Sequence, residues 1–392
     1  MMLMLVMNAV VLFIPWKEMM AGKNDFPAFY SSAQMVREGQ GSRLYDFEAE
    51  NSFLHRISDV ARPPFVHVPY ENLIFIPFTY LRFGAAHILW TSLSVGMLVG
   101  VALLMRDLRP GGSNFLLTVL PVVAFFPVWH CLLQGQDSIL LVVLFALSFW
   151  LWRRGQEDAA GFVLAMGLFR PQLVLPFVVI TFLAGRWKFV RGFIPGAAFV
   201  VALSTWVVGF HGMADFARTL ISQGTQNSAN TLAERWHEWP GQMATWRGFL
   251  WVCLPSWVPS GTRNFLLLSG TLVGLLWAAR KMRNAKDGAA FDLAFAIAVA
   301  MVALVSFHSY LHDFSLMILP LVIAGDIVAS SVRVPEKSAY SIVTLGFLFC
   351  LTPLYLLLLV TGKVGLLVLP AAAGIWLMSG WETGGLPAHL ET

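Results

Sequence analysis

Long apolar stretches with almost no charged residues constrain this chain more than any other feature. Several of them reach about 18 residues or more, which is enough for an α-helix to cross the hydrocarbon core of a bilayer. Hydrophobic residues make up 57% of the chain and charged residues 12%, whereas a soluble domain carries about 25% charged residues. The alternating segments typical of a membrane β-barrel are not seen. The sequence therefore predicts an all-α polytopic membrane protein.

The apolar segments predict about 10–12 transmembrane helices in a single integral membrane domain over residues 1–380. The first segment has no basic residue before it, so we expect either a start further upstream or a minimal signal anchor. Shorter apolar pieces lie at 69–82, expected to be re-entrant or interfacial, and at 249–258. The expected spans are 1–16, 84–105, 114–132, 138–152, 189–210, 262–280, 289–307, 314–331, 339–360 and 364–380.

Basic residues cluster in the short loops between the spans, around Arg106, Arg153, Lys188, Arg280 and Arg333. The positive-inside rule places all these clusters in the cytoplasm. The apolar segment 159–184 then has both ends on the same side of the membrane. We therefore expect it to enter and return as a hairpin of two half-helices, with Arg170 and Pro171 near the tip. One full span that violates the charge rule is the alternative.

This topology gives the outer face two large loops, 17–83 and 211–261, and leaves a cytoplasmic tail at 381–392. The polar groups described below all lie on the outer face. We therefore expect a multi-pass protein of the plasma (inner) membrane whose active site faces the periplasm or another extracytoplasmic space. The net charge of +4 arises in the short loops, so it does not indicate a nucleic-acid partner.

The first outer loop contains a predicted amphipathic helix that follows Asp25 and lies on the membrane surface. Pro27 suits its first turn, and Gly39 suits its end. Asp25 could simply cap this helix, but Ser, Thr or Asn would cap it equally well. Asp25 is therefore also a candidate for chemistry. One helix face carries Phe26, Phe29, Tyr30, Ala33 and Val36, and the other carries Ser31, Gln34, Arg37 and Glu38.

Two further polar groups interrupt apolar segments. Gln134, Gln136 and Asp137 bunch within "CLLQGQDS", either as caps for the next helix or as a functional cluster. Arg170 lies within "GLFRPQLVLP", and an arginine inside the bilayer costs about 2.5–3.5 kcal/mol. A structural pair with an Asp or Glu is one explanation for Arg170. An anion site is the other, because a guanidinium suits phosphate.

A third group, His308, His312 and Asp313, lies at the outer end of a span in "SFHSYLHDFS". These residues are either polar loop residues or a proton acceptor and phosphate contacts. His308 and His312 have the spacing of two metal ligands on a helix, but a third ligand is not evident. No metal site is expected from the sequence, and no carboxylate pair accompanies Asp25, although metal dependence stays open.

The second outer loop is rich in tryptophan, with Trp236, Trp239 and Trp246 among mixed charges. Tryptophan favours the membrane interface, and aromatic faces also bind sugar rings. A carboxylate, an embedded arginine, histidines and tryptophans on one side fit a reaction on an anionic lipid. A transporter or flippase of lipid-linked sugars is the main alternative, but it should show repeat symmetry, and no inverted repeat is seen. A non-catalytic membrane scaffold is a third reading.

The order of the motifs resembles the bacterial glycosyltransferase family 87 over roughly residues 20–330. The resemblance is carried by "DFPAFYSSAQMVREGQGSRLYD", "PYENLIFIPFTYL", "AAHILW", "GQDSILLVVLFALSFWLWRRG", "AAGFVLAMGLFRPQLVLPFVV" and "HSYLHDFSLMILP". It implies a GT-C fold and inverting transfer of a hexose, commonly mannose. The implied donor is a polyprenyl-phosphate sugar and the acceptor a glycan or glycolipid hydroxyl. No cofactor is implied.

The resemblance also implies roles for individual residues. Asp25 matches the acidic residue expected to act as base or to position the acceptor, and His308 is the alternative base. Gln136 matches the glutamine of a Gly-Gln pair, and Arg170 stands where a lysine is common, on the donor phosphate. Asp137 stands where asparagine is usual. The remaining candidate substrate-binding residues are Tyr30, Gln134, His312 and Asp313.

Overall fold

A computed structural model of the chain describes residues 2–58, 65–108, 122–225, 239–285, 288–329 and 336–381. In these ranges the chain is helical and has no β-strand, which confirms the predicted all-α membrane fold. Three expectations lie partly or wholly outside the described residues: the start of span 114–132, the tryptophan-rich motif around Trp236, and the tail after residue 381.

The described helices follow one another closely along the chain, and several of them are joined by 3-10 turns. The first half contains α1 (Met2–Phe13), α2 (Trp16–Met20), α3 (Phe26–Arg37), α4 (Phe47–Leu54), α5 (Asn72–Phe75), α6 (Phe83–Asp107), α7 (Phe126–Gln134), α8 (Ser138–Arg153) and α9 (Glu157–Ala165). The second half contains α10 (Pro171–Leu183), α11 (Trp187–Thr225), α12 (Trp246–Cys253), α13 (Ser260–Asn284), α14 (Ala289–Val305), α15 (Ile318–Ala329), α16 (Glu336–Phe349), α17 (Thr352–Val360) and α18 (Val368–Ser379). The 3-10 turns are Gly41–Arg43, Pro69–Glu71, Ile76–Tyr80, Pro240–Gln242, Asp313–Met317 and Val364–Leu367.

Three described helices, α6, α11 and α13, are long and apolar enough to cross a membrane. Helices α16 and α17 would make a fourth span together. Shorter apolar helices of 10–17 residues cover most of the other expected spans. The chain is therefore a membrane protein, while the number of ten to twelve spans stays a prediction.

Two expected spans differ from straight helices of the predicted length. The expected single span 339–360 is bent by 57° between α16 and α17, because Pro353 lies in the first turn of α17 and has no N–H to bond to a preceding turn. Helix α11 does not end at residue 210 but continues to Thr225, with a kink at Gly209 where φ is +71°. The second outer loop therefore begins with a helix.

The segment 159–184 is broken as predicted, with α9 and α10 separated by residues 166–170. Glycines hold α9 tightly against α11. A Cβ on Gly161 would lie 2.0 Å from the backbone O of Phe189, and one on Gly192 would lie 1.9 Å from the backbone O of Asp158. Such close backbone approach through small residues is typical of membrane helix pairs. This close approach fixes the position of α9. Arg170 then ends the break after α9 and lies directly before α10.

Helices α3 and α4 and the segment 65–83 enclose a separate aromatic core that includes Phe29, Phe53 and Phe75. Helix α3 forms as predicted, but it is buried on more than its aromatic face. Ser31, predicted on the polar face, is fully buried, and so is Ser32. The amphipathic prediction was wrong at Ser31, because both α4 and the 3-10 turn Ile76–Tyr80 pack against α3. This packing fixes the first turn of α3 and therefore the position of Asp25.

Glu50 in α4 provides a test of this outer segment by pH. Its buried carboxyl accepts a hydrogen bond from the backbone N–H of Phe65, and burial raises its pKa to about 8. The folded chain holds the proton more tightly than the unfolded chain. The stability linked to Glu50 is therefore fully present below the unfolded pKa near 4.5 and is lost as the pH rises to about 8.

We expect the free energy of unfolding of Glu50→Gln, relative to wild type, to be higher at pH 9 than at pH 4.5 by on the order of 2 kcal/mol. The amide needs no proton, so the variant avoids the loss of stability that wild type undergoes as the pH rises. The measurement is thermal unfolding in nanodiscs at both pH values. Glu48→Gln, at an exposed neighbour in α4, should show no such pH dependence. An equal effect of Glu50→Gln at both pH values would contradict the prediction.

Candidate active site

Polar residues from four parts of the chain form one connected network. Asp25 lies directly before α3, Asp137 before α8 and Arg170 before α10, while Asp313 opens the 3-10 turn Asp313–Met317. A helix start carries a partial positive charge and unpaired N–H groups. The chain therefore brings several helix starts, each with a polar side chain, to one place.

Asp25 does not cap α3 with its side chain, since no side-chain cap hydrogen bond is present. One carboxylate oxygen instead accepts a hydrogen bond from Gln136 Nε2 at 2.7 Å. The backbone N–H of Asp25 donates to the carbonyl of Gln134 at 3.2 Å. The residue is partly exposed. The capping explanation for Asp25 is therefore not the one that the structure shows.

Gln136 joins Asp25 to Arg170. Its amide nitrogen donates to Asp25, and its amide oxygen accepts from an Arg170 guanidinium nitrogen at 2.5 Å. Both ends of the amide are engaged, so the orientation of the side chain is defined by a donor on one side and an acceptor on the other. The Gln136 side chain therefore links the Asp25 carboxylate to the Arg170 guanidinium.

Arg170 is buried, and acidic residues surround it. Its Nε donates to Asp137 Oδ1 at 3.0 Å, and a second nitrogen contacts the same oxygen. Asp313 Oδ1 lies 3.7 Å from Arg170 and also accepts from Ser138 Oγ at 2.7 Å. Burial works against ionisation of Asp313, but Arg170 and His312 hold its pKa below the usual range. The structural ion pair, one of the two sequence explanations for Arg170, is therefore present.

Glu71 and His67 belong to the same cluster, although the sequence analysis did not select them. His67 Nδ1 lies 2.9 Å from a carboxylate oxygen of Glu71, which is fully buried. Burial raises the pKa of Glu71 to about 7 and that of Asp137 to about 8. A lone glutamate in the apolar segment "PYENLIF" was the available signal, by the same reasoning that identified Arg170.

Tyr70 ties this segment to the break before α10. Its hydroxyl donates to the carbonyl of Met166 at 2.6 Å and accepts from the N–H of Phe169 at 3.0 Å. These bonds satisfy backbone groups that the interrupted helix leaves unpaired. They also hold Glu71, the next residue, beside the Arg170 pair.

His308 and His312 follow the end of α14 at Val305 and do not lie on a helix. These two residues therefore do not form the helical metal pair that their spacing would allow. His312 is buried, stacks on His130 with ring centroids 6.2 Å apart, and lies 3.7 Å from Asp313. His308 is partly exposed and packs edge-on against Tyr310. His308 lies within electrostatic range of His67 and Asp313, and therefore beside the cluster.

The other predicted residues have structural contacts. Gln134 contributes its backbone carbonyl to Asp25. Tyr30 donates to the carbonyl of Leu81 at 2.7 Å and packs against Phe83, so its hydroxyl forms a hydrogen bond within the first outer loop. Trp246 packs on Phe249 and donates to Leu266, whereas Trp239 is exposed.

Gly135 sets the approach of α7 to α3. It ends α7 in the left-handed conformation with φ +66°, and a Cβ there would lie 2.7 Å from Phe26 Cβ. We expect Gly135→Ala to destabilise the protein by about 1–3 kcal/mol through backbone strain and overpacking. Thermal unfolding would measure this, with Gly155→Ala as control: Gly155 also has positive φ but open space around it. Equal losses in both variants would contradict a packing role.

The family model for glycosyltransferase family 87 matches residues 65–307, which is more than half of the chain. The matched range includes Glu71, Gln136 and Arg170 and ends before His308. Comparisons with curated proteins and with solved structures gave no match.

Proposed function

Because the chain belongs to glycosyltransferase family 87, and is thus a membrane glycosyltransferase, we propose that it uses a polyprenyl-phosphate hexose as donor. By the family resemblance the hexose is mannose. The acceptor is a hydroxyl of a glycan or glycolipid on the extracytoplasmic face of the membrane. Transfer proceeds with inversion at the anomeric carbon.

The observation that carries this proposal is the hydrogen-bonded series from Asp25 through Gln136 to Arg170. Glycosyl transfer from a lipid phosphate needs a base for the acceptor hydroxyl and positive charge for the departing phosphate. The partly exposed Asp25 supplies the first, and the buried Arg170 supplies the second. One glutamine amide fixes the two groups relative to each other.

In the proposed reaction the acceptor oxygen attacks the anomeric carbon from the face opposite the phosphate. The bond between that carbon and the phosphate oxygen breaks, and its electron pair leaves with the polyprenyl phosphate. The acceptor proton passes to the Asp25 carboxylate. We favour Asp25 over His308 as the base because the hydrogen bond from Gln136 links Asp25 to the cation. The phosphate needs no protonation to leave, so a cation serves it better than an acid.

The direct test is transfer by purified protein in nanodiscs. The donor is radiolabelled polyprenyl-phosphate mannose, compared with the glucose analogue, and the acceptor is an extract of native membranes and surface polysaccharide. Label in the acceptor, with an anomeric configuration opposite to that of the donor, supports the proposal. Donor that binds but is not consumed would overturn it in favour of transport. Consumption of the glucose donor alone would overturn mannose as the sugar.

A further inference from the structure

The buried cluster around Arg170 contains more acidic than basic side chains. Glu71, Asp137 and Asp313 are three carboxylates around one guanidinium, and all four residues are at most 5% exposed. If more than one of these carboxyl groups were ionised, buried negative charge would remain without compensation, which costs several kcal/mol. An anionic donor phosphate would add to this excess.

Asp137 shows where the compensating charge belongs. Its Oδ1 is paired with Arg170, while its Oδ2 is buried without a hydrogen-bond donor among the residues that the structure describes. The carboxyl groups of Asp137 and Glu71 contact each other, and two carboxyl groups can bond to each other only when a proton or a cation lies between them. This buried pair therefore needs either a shared proton or a cation.

His67 completes the donor set at this position. One ligand atom from each of His67, Glu71 and Asp137 lies within 4.8 Å of the others. Two ligands of one metal ion at bond lengths of about 2.1 Å are at most about 4.2 Å apart. A separation of 4.8 Å would therefore have to shorten by at least about 0.6 Å for both atoms to bind one ion. His67 can present its Nδ1 lone pair when its proton lies on Nε2.

We propose that His67, Glu71 and Asp137 form a binding site for one divalent first-row metal ion. An imidazole with two carboxylates suits Mn²⁺, Fe²⁺ or Zn²⁺ better than Mg²⁺, which prefers oxygen ligands. Asp137 bridges the ion and Arg170, one oxygen to each. The three protein ligands leave coordination positions open, as in catalytic metal sites. No metal site was expected from the sequence, because His308 and His312 lack an evident third ligand and no carboxylate pair accompanies Asp25.

The open positions give the ion a role beside Arg170. An oxygen of the donor phosphate coordinated there would meet two adjacent positive charges, although the guanidinium is already paired with Asp137. This role rests on the proposed function, whereas the binding site itself does not.

The test is Mn²⁺ binding to the full-length protein in nanodiscs, after removal of metal with a chelator and followed by electron paramagnetic resonance. We expect saturable binding by wild type and affinity losses of roughly 100-fold in Glu71→Gln and His67→Gln. Glu50→Gln is the matched control, since Glu50 is also a buried glutamate of the first outer loop but lies outside the cluster. It should bind Mn²⁺ like wild type. Zn²⁺ and Mg²⁺ enter as competitors.

If wild type binds neither Mn²⁺ nor Zn²⁺ saturably, the site is overturned. Glu71 and Asp137 then share a proton instead. Binding that survives both substitutions would overturn it as well. If Glu71→Gln does not fold, His67→Gln decides, because His67 is partly exposed. Transfer without metal binding removes only the metal site. Metal binding without transfer of any donor removes only the proposed function.

Discussion

Sugar transfer is expected to fall by about 10²- to 10⁴-fold when Asp25 is replaced with asparagine, which is the range that a general base contributes. The asparagine side chain keeps an oxygen that accepts from Gln136 Nε2, so the hydrogen bond at 2.7 Å need not be lost. Donor affinity should therefore stay within about threefold of wild type, and the loss should fall on kcat. The measurement is single-turnover transfer in nanodiscs together with donor binding.

Asp46→Asn is the matched control in the same outer loop. Asp46 caps α4, accepting from the N–H groups of Glu48 and Ala49 at 3.1 and 3.2 Å, and asparagine caps a helix equally well. This variant should retain full activity. Comparable loss in both variants would mean that the loop, and not the base, was damaged.

His308→Gln separates the two candidate bases. If Asp25 is the base, His308→Gln lowers the rate by less than Asp25→Asn and leaves the pH dependence at acid pH unchanged. Retention of activity by Asp25→Asn together with loss in His308→Gln would transfer the role to His308. Both side chains are partly exposed beside the same network, so exposure does not decide between them.

The sequence indicated much of the network because polar residues in apolar segments are costly and need a reason. Gln136, Asp137, Arg170 and Asp313 were selected in or at the ends of apolar segments, and Asp25 was selected because capping alone does not require an aspartate. The structure places these five residues in one connected set. These residues lie at or near helix starts, and proline and glycine mark the breaks before those helices in the sequence. The all-α membrane fold followed from length and hydropathy alone.

The partners of Arg170 could not be read from the sequence. Asp137 precedes it by 33 residues and Asp313 follows much later, so the pairing depends on how α8, α10 and the turn Asp313–Met317 pack together. Glu71 was missed for a different reason. The segment around it was interpreted as one apolar piece, and its single glutamate was not weighed as Arg170 was.

Replacing Arg170 with methionine is expected to lower the free energy of unfolding by about 3–5 kcal/mol, since removing one partner leaves buried charge without compensation. Asp137, Asp313 and Glu71 would then lie together in a buried site with no guanidinium among them. Arg191→Met is the matched control. Arg191 makes a two-bond pair with Asp158 at 2.7 Å for each bond, but the side chains are 72% and 46% exposed. Its loss should cost at most about 1 kcal/mol.

The cause of the loss can be separated from lost packing by changing a second residue. Asp137→Asn removes one of the unpaired carboxylates, so the double variant of Arg170→Met with Asp137→Asn should recover part of the stability that Arg170→Met loses. Arg170→Lys keeps the charge but not the forked geometry, and it should fall between wild type and Arg170→Met. Thermal unfolding in nanodiscs ranks the stabilities of wild type, Arg170→Lys, Arg170→Met and the double variant. If Arg170→Met and Arg191→Met cost the same, or if Asp137→Asn makes Arg170→Met worse, the guanidinium does not stabilise the fold by neutralising these carboxylates.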